Sequence, residues 1–268
     1  MTALLWAAKE NENPAVCALL VNCGADIAER DTKFNVNALM IAAKENSNPA
    51  LVSLLIAFGA NVNETTPNKM TALMLAAGRN INPAVTEALI TGGANVNAKD
   101  QDGYTALLYA AEANVNPAVT ETLLTHGAKI TDRNNKGAPA LLLAAVKNPA
   151  PAVIHALVKH GANVHEKDED LGAIPLLWAA ALNPNPRILE ALLDEGASLN
   201  ETANGGRTAL MAAAGSNPNP AVVGFLLDQG MDPAATDKVG ATALDYAKNN
   251  PALHNTEALS ALFPVAGK

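Results

Sequence analysis

The stretch Thr105–Ala128, TALLYAAEANVNPAVTETLLTHGA, decides how this chain is read, because variants of it occur at seven places. Aligning them on the proline gives Pro14, Pro49, Pro83, Pro117, Pro151, Pro186 and Pro220, in steps of 34 or 35 residues. A glycine always follows ten residues later: Gly24, Gly59, Gly93, Gly127, Gly161, Gly196 and Gly230. The opening apolar run always begins twelve residues before the proline, near positions 2, 37, 71, 105, 139, 174 and 208. All length variation falls between a glycine and the next run. Fixed intervals mark packed elements, and the variable one marks a surface loop. A period of this size makes a repeat architecture whose single units are too small to bury a core alone.

Each repeat reads as two helices and a loop. The first is short and rich in Ala and Leu, both strong helix formers, and its opening Thr can cap it. The second starts at the proline and places Val85, Leu89 and Ile90, for example, on one face. It stops near the glycine, which takes the left-handed conformation that ends a helix. The segment after it, such as GANVNAKDQDGY, is polar and suited to an extended excursion with a tight turn.

A period of 34 also fits tetratricopeptide repeats, but a plain helix-turn-helix repeat leaves no room for that polar segment. Thr-Ala-Leu-x-x-Ala-Ala, a second helix with paired Leu, then Gly-Ala-x-Val-Asn and a polar tip closely resembles the ankyrin repeat, over essentially the whole chain. Two departures stand out. Ala-Leu-Leu or Ala-Leu-Met replaces Pro-Leu-His after the Thr, and Asn-x-Asn-Pro, one residue longer, replaces the Gly-His turn. The resemblance implies an all-α ankyrin-repeat solenoid with β-hairpin-like loop tips, in a single domain over residues 1–268. Seven full repeats precede a C-terminal cap at 242–263, where Asp245 replaces the Leu or Met of other repeats. At the other end, Met1 directly precedes an internal-type helix with Leu4, Leu5 and Trp6. We therefore expect the natural protein to begin earlier.

Asparagine dominates the inter-helix turn. Asn13, Asn48, Asn82, Asn116, Asn185 and Asn219 precede the proline as N-caps, each contributing roughly 0.5–2 kcal/mol, while Ala150 fills that place in the fifth repeat. An earlier Asn, at 11, 46, 80, 114, 148, 183 and 217, is present in every repeat. It either takes a left-handed turn and bonds the local backbone, or forms a ladder from repeat to repeat. Both roles are structural, since a recognition site should differ between repeats.

Positions that vary are the better guide to function. Four residues into each repeat stand Trp6, Ile41, Leu75, Tyr109, Leu143, Trp178, Ala212 and Tyr246. Four of the five Trp and Tyr residues lie in this column, and the fifth, Tyr104, directly precedes a repeat. These are either interface anchors or packing between first helices. One helical turn further on come Glu10, Glu45, Arg79, Ala113, Lys147, Leu182 and Ser216, a chemically diverse set. The resemblance puts first helices and loop tips on a concave face. From it we take Trp6, Ile41, Arg79, Tyr104, Tyr109, Glu112, Lys147, Trp178, Leu182, Arg207 and Tyr246 as candidate partner-binding residues.

Composition removes several classes. The 268 residues carry 18 Lys and Arg against 26 Asp and Glu, a net charge of −8, which disfavours nucleic acid and anionic membrane. No apolar run reaches membrane-spanning length and no signal peptide is visible, so a soluble chain is expected, with the cytoplasm favoured and secretion left open. Cys17 and Cys23 are too few for a disulfide framework or a Cys-rich metal site. His126 and His160 sit where a cation suits a helix C-terminus, and His165–Asp170, HEKDED, lacks zinc-helix or calcium-loop spacing. No phosphate loop or nucleophile elbow appears. The expectation is a monomeric, non-enzymatic scaffold without cofactor or metal that binds another protein. The alternative is a targeting or inhibitory module of a larger enzyme or secreted effector.

Overall fold

The computed structural model describes residues 1–263. Its helices gather into two compact units, Met1–Ala140 and one beginning at Leu141. In the first, the short first helices are α1 (Ala3–Glu10), α3 (Ala38–Glu45), α5 (Ala72–Arg79) and α7 (Ala106–Ala113). The second helices are α2 (Pro14–Asn22), α4 (Pro49–Ala57), α6 (Pro83–Thr91) and α8 (Pro117–Thr125). First helices pack on first helices and second on second, with each pair closed by its own turn.

The alanines explain the close stacking. Ala76 and Ala77 in α5, like Ala110 and Ala111 in α7, are fully buried, and a side chain one carbon long lets helix backbones approach. Leu73, Met74, Leu107 and Leu108 fill the space between layers, each buried Leu contributing roughly 1.5–3 kcal/mol. Thr71 and Thr105 accept the N3 backbone N–H as N-caps, and Asn37 does so for α3. The closing glycines Gly24, Gly59, Gly93 and Gly127 have φ between +86° and +95°, the left-handed stop expected of them.

The second unit holds α9 (Ala140–Lys147), α11 (Pro175–Leu182), α13 (Ala209–Ser216) and α15 (Ala243–Ala247) as first helices. Its second helices are α10 (Pro151–Lys159), α12 (Pro186–Asp194), α14 (Pro220–Asp228) and α16 (Glu257–Ala261), with α11–α13–α15 and α10–α12–α14–α16 stacked in order. Both elements of the cap are short. Thr256 caps α16, its side chain accepting from Leu259 N.

The inter-helix asparagines form a ladder. Asn80 Nδ2 donates to Ala43 O at 3.0 Å and Asn46 O at 2.8 Å, while its Oδ1 accepts from Asn82 N at 3.0 Å. Asn46, Asn114, Asn183 and Asn217 repeat this arrangement, always donating to carbonyls of the preceding repeat. The N-cap asparagines act likewise: Asn82 Oδ1 accepts from Ala84 N, and its Nδ2 reaches back to Ser47 O at 2.7 Å. Ala150, as expected, supplies no side-chain cap. Of the two roles open to the earlier asparagines the ladder is the one found: they are extended, with φ of −89° at Asn80 and −103° at Asn46, rather than left-handed. Asn250 continues the ladder into the cap, donating to Ala214 O and Asn217 O, a further rung the interrupted spacing conceals.

Three loop tips close on themselves through isolated antiparallel bridges, Arg30 with Asn37, Thr65 with Thr71 and Arg133 with Pro139. No helix among these residues is long and apolar enough to cross a membrane.

Candidate functional site

Each loop tip turns back on itself through one recurrent bond. The N–H of residues 31, 66, 100, 134, 168, 203 and 237 donates to the carbonyl of the residue just before, or two before, the next first-helix start. The side chain at this tip position then decides what the aromatic column does. Asp100 Oδ1 accepts from Asp102 N and Tyr104 N, and its Oδ2 accepts the Tyr109 O–H at 2.6 Å. Asp168 Oδ2 accepts from Trp178 Nε1 at 2.9 Å, and Asp237 Oδ2 accepts the Tyr246 O–H at 2.7 Å. Three column aromatics are thus latched to the loop tip that directly precedes their own helix.

Electrostatics follow from these bonds. Burial, then the bond to Asp100, pushes the Tyr109 phenol well above its ordinary range. Burial raises the Asp168 carboxyl, but hydrogen bonds from Leu171 N–H, Trp178 Nε1–H and Ala173 N–H outweigh it and hold the group below the usual carboxylate value. The Tyr246 O–H, with loop amides, holds Asp237 low as well.

The sequence-derived candidates fall into different environments. Trp6 is 52% exposed, with Lys9 Nζ 5.6 Å from its ring centroid, and Leu182 is 42% exposed. Arg79 and Lys147 are exposed, whereas Tyr104, Tyr109, Glu112, Trp178, Arg207 and Tyr246 are half-buried. Tyr104 stacks obliquely on Tyr109 at 5.0 Å, and the Arg207 guanidinium lies 4.6 Å over the Tyr246 ring. Ile41 differs: at 5% exposure it is a core residue whose edge borders a groove, because an aliphatic side chain in this column packs inward. Two of the tip cations are held by neighbouring tips. Arg30 pairs with Glu64 and donates to Thr65 O, and Lys99 pairs with Asp132 at 3.2 Å. The 165–170 run divides in the same way, His165 Nδ1 lying 2.6 Å from Glu201 Oε1 while Asp168 serves the tip. His126, at the end of α8, lies 2.8 Å from Thr122 O and 3.2 Å from Glu87, the helix-terminal placement expected of it.

In the first compact unit, a groove of about 780 Å³ opens between the first-helix ends and the tips of the second and third repeats. Phe34, Val36, Ile41, Met70 and Leu75 give it an apolar lining, and Asp31 stands at its edge. Phe34 is 65% exposed. The latching aspartates and this groove escape a reading by columns, since each depends on a residue nine or ten positions upstream. The detectable sign is an Asp at that distance before Tyr109, Trp178 and Tyr246.

The architecture defines an all-helical tandem-repeat protein whose variable residues face outward from first helices and tips. The model for ankyrin repeats matches three times, over residues 4–100, 77–168 and 176–265, and the chain belongs to the ankyrin repeat family. No curated protein matches the sequence. Among solved structures it is similar to the crystal structure of the human ASB11 ankyrin repeat domain, with 27% identity and a TM-score of 0.68. That match covers 84% of this chain and 95% of that one. The fold is an ankyrin-repeat solenoid, and ankyrin repeats are in general protein–protein interaction modules.

Proposed function

We propose that this chain is a non-enzymatic scaffold that binds a partner protein on the concave face made by its first helices and loop tips. The supporting observation is the contrast between faces of one repeat. The asparagine turn is nearly invariant and spent on internal hydrogen bonds, whereas the first-helix face carries half-exposed rings and residues that change from repeat to repeat. In the first unit this face offers Trp6, Arg79, Tyr104, Tyr109 and Glu112, with Ile41 beneath; in the second, Lys147, Trp178, Leu182, Arg207 and Tyr246. Aromatic and Arg side chains are the usual anchors of such contacts. The partner is another protein rather than nucleic acid, given the net charge of −8.

A photoreactive benzoylphenylalanine placed at Arg79 or Leu182, and as controls at the exposed second-helix positions Glu87 or Glu190, tests this in cells that make the protein. Adducts from the first-helix positions are expected. Adducts from the second-helix positions alone would overturn the assignment of the face.

A further inference from the structure

The tips and the column vary together. Where the tip residue is Asp100, Asp168 or Asp237, the column holds Tyr109, Trp178 or Tyr246, each donating a hydrogen bond to that carboxylate. Where the tip holds Thr66, Asn134 or Ala203, the column holds Leu75, Leu143 or Ala212, which have no proton to donate. The second repeat alone breaks the correspondence: Asp31 faces Ile41. Its carboxylate holds the tip with both oxygens, Oδ1 accepting from Val36 N at 3.0 Å and Phe34 N at 3.2 Å, and Oδ2 accepting from Lys33 N and sharing the Phe34 N–H at 3.2 Å, where Asp100 and Asp237 use Oδ1 alone for the tip amides. Among the described residues no side chain donates to it. The apolar groove of about 780 Å³ lies beside this acceptor.

The geometry points to a groove that takes a tyrosine side chain from the partner, its ring lodged among Phe34, Ile41, Met70 and Leu75 and its O–H donated to Asp31. The partner would complete in the second repeat the latch the chain makes for itself at Tyr109 and Tyr246. An apolar ring fits the lining, and the anionic acceptor at its edge selects an aromatic residue with a donor over phenylalanine. This identification rests on the scaffold reading and names the chemistry of one contact within it.

Two variants separate the terms. Asp31→Asn keeps the Oδ1 bonds to Val36 N and Phe34 N, the pattern by which Asn134 holds its own tip through Oδ1, while replacing Oδ2, the acceptor of Lys33 N, by a donor. Ile41→Tyr supplies the missing aromatic in cis and fills the groove. N-acetyl-tyrosinamide and N-acetyl-phenylalaninamide are titrated into the ¹⁵N-labelled chain, following the amides of Phe34 and Val36. The expected result is saturable shifts with the tyrosine probe, roughly tenfold weaker binding of the phenylalanine probe, as a bond to a charged acceptor implies, loss of that difference in Asp31→Asn, and loss of both in Ile41→Tyr. Equal affinity for the two probes, or an unchanged preference in Asp31→Asn, would overturn the inference. If this happens while first-helix crosslinks persist, the scaffold reading stands and only the tyrosine contact falls. If crosslinks come from second helices alone, the scaffold reading falls whatever the probes do.

Discussion

Replacing Asn80 by alanine should cost the first compact unit about 3 kcal/mol, whereas the same change at Asn11 should cost about 1 kcal/mol. Asn80 is 5% exposed and makes three bonds: two from Nδ2 to Ala43 O and Asn46 O, and one accepted by Oδ1 from Asn82 N. Each carries roughly 0.5–1.5 kcal/mol net, and losing the amide strands two carbonyls near a helix end, where desolvation adds to the loss. Asn11 occupies the same place in its repeat and accepts from Asn13 N at 2.9 Å, but among the described residues its Nδ2 meets no carbonyl. The difference between the variants therefore isolates the two cross-repeat bonds. Global unfolding of a repeat array need not be two-state, so native-state amide exchange in α3–α6 is the suitable assay. Protection there should fall by roughly two orders of magnitude in Asn80→Ala, while in Asn11→Ala the amides of α1 and α2 should lose only about fivefold. Equal losses would refute the argument, showing that the ladder bonds merely replace bonds to water.

Two further outcomes follow from the same geometry. Ala150→Asn gives α10 the N-cap that its counterparts have and should stabilise the second compact unit by about 0.5–1 kcal/mol, read as a higher urea midpoint at unchanged slope. Because the folded Asp168 pKa lies below its ordinary value of about 3.9, its stabilising contribution is present above that value and is lost as pH falls through the lower folded one; acid unfolding followed by Trp178 emission should be less steep below about pH 4 in Asp168→Asn.

Much of this was legible in the residues themselves. The proline and glycine intervals place every full helix pair, since a helix that must start at Pro83 and stop before Gly93 has little freedom left. Asn82 as a cap follows from its position before a proline. The direction in which Asn80 reaches does not follow, because acceptors 34 and 37 residues upstream are set by stacking and not by local chain geometry. Ile41 shows the limit of column reasoning: its register is that of Tyr109, but an aliphatic side chain has no polar tip to hold it at the surface. The latches were hidden for the opposite reason. Asp100 reads as an ordinary turn former, and only the fold brings its second oxygen to Tyr109.

The cross-repeat bonds of the turn asparagines give each compact unit a polarity. Every donor in the turn looks back to carbonyls that lie earlier in the chain, as Asn80 does to Ala43 and Asn46, and Asn217 to Ala180 and Asn183. A ribosome delivers those acceptors first, since synthesis runs from the N-terminus at about 5–20 residues per second. Within each compact unit, the carbonyls of one repeat are the acceptors for the asparagine of the next, so the stack is extended at its C-terminal side by a repeat that brings its own donors.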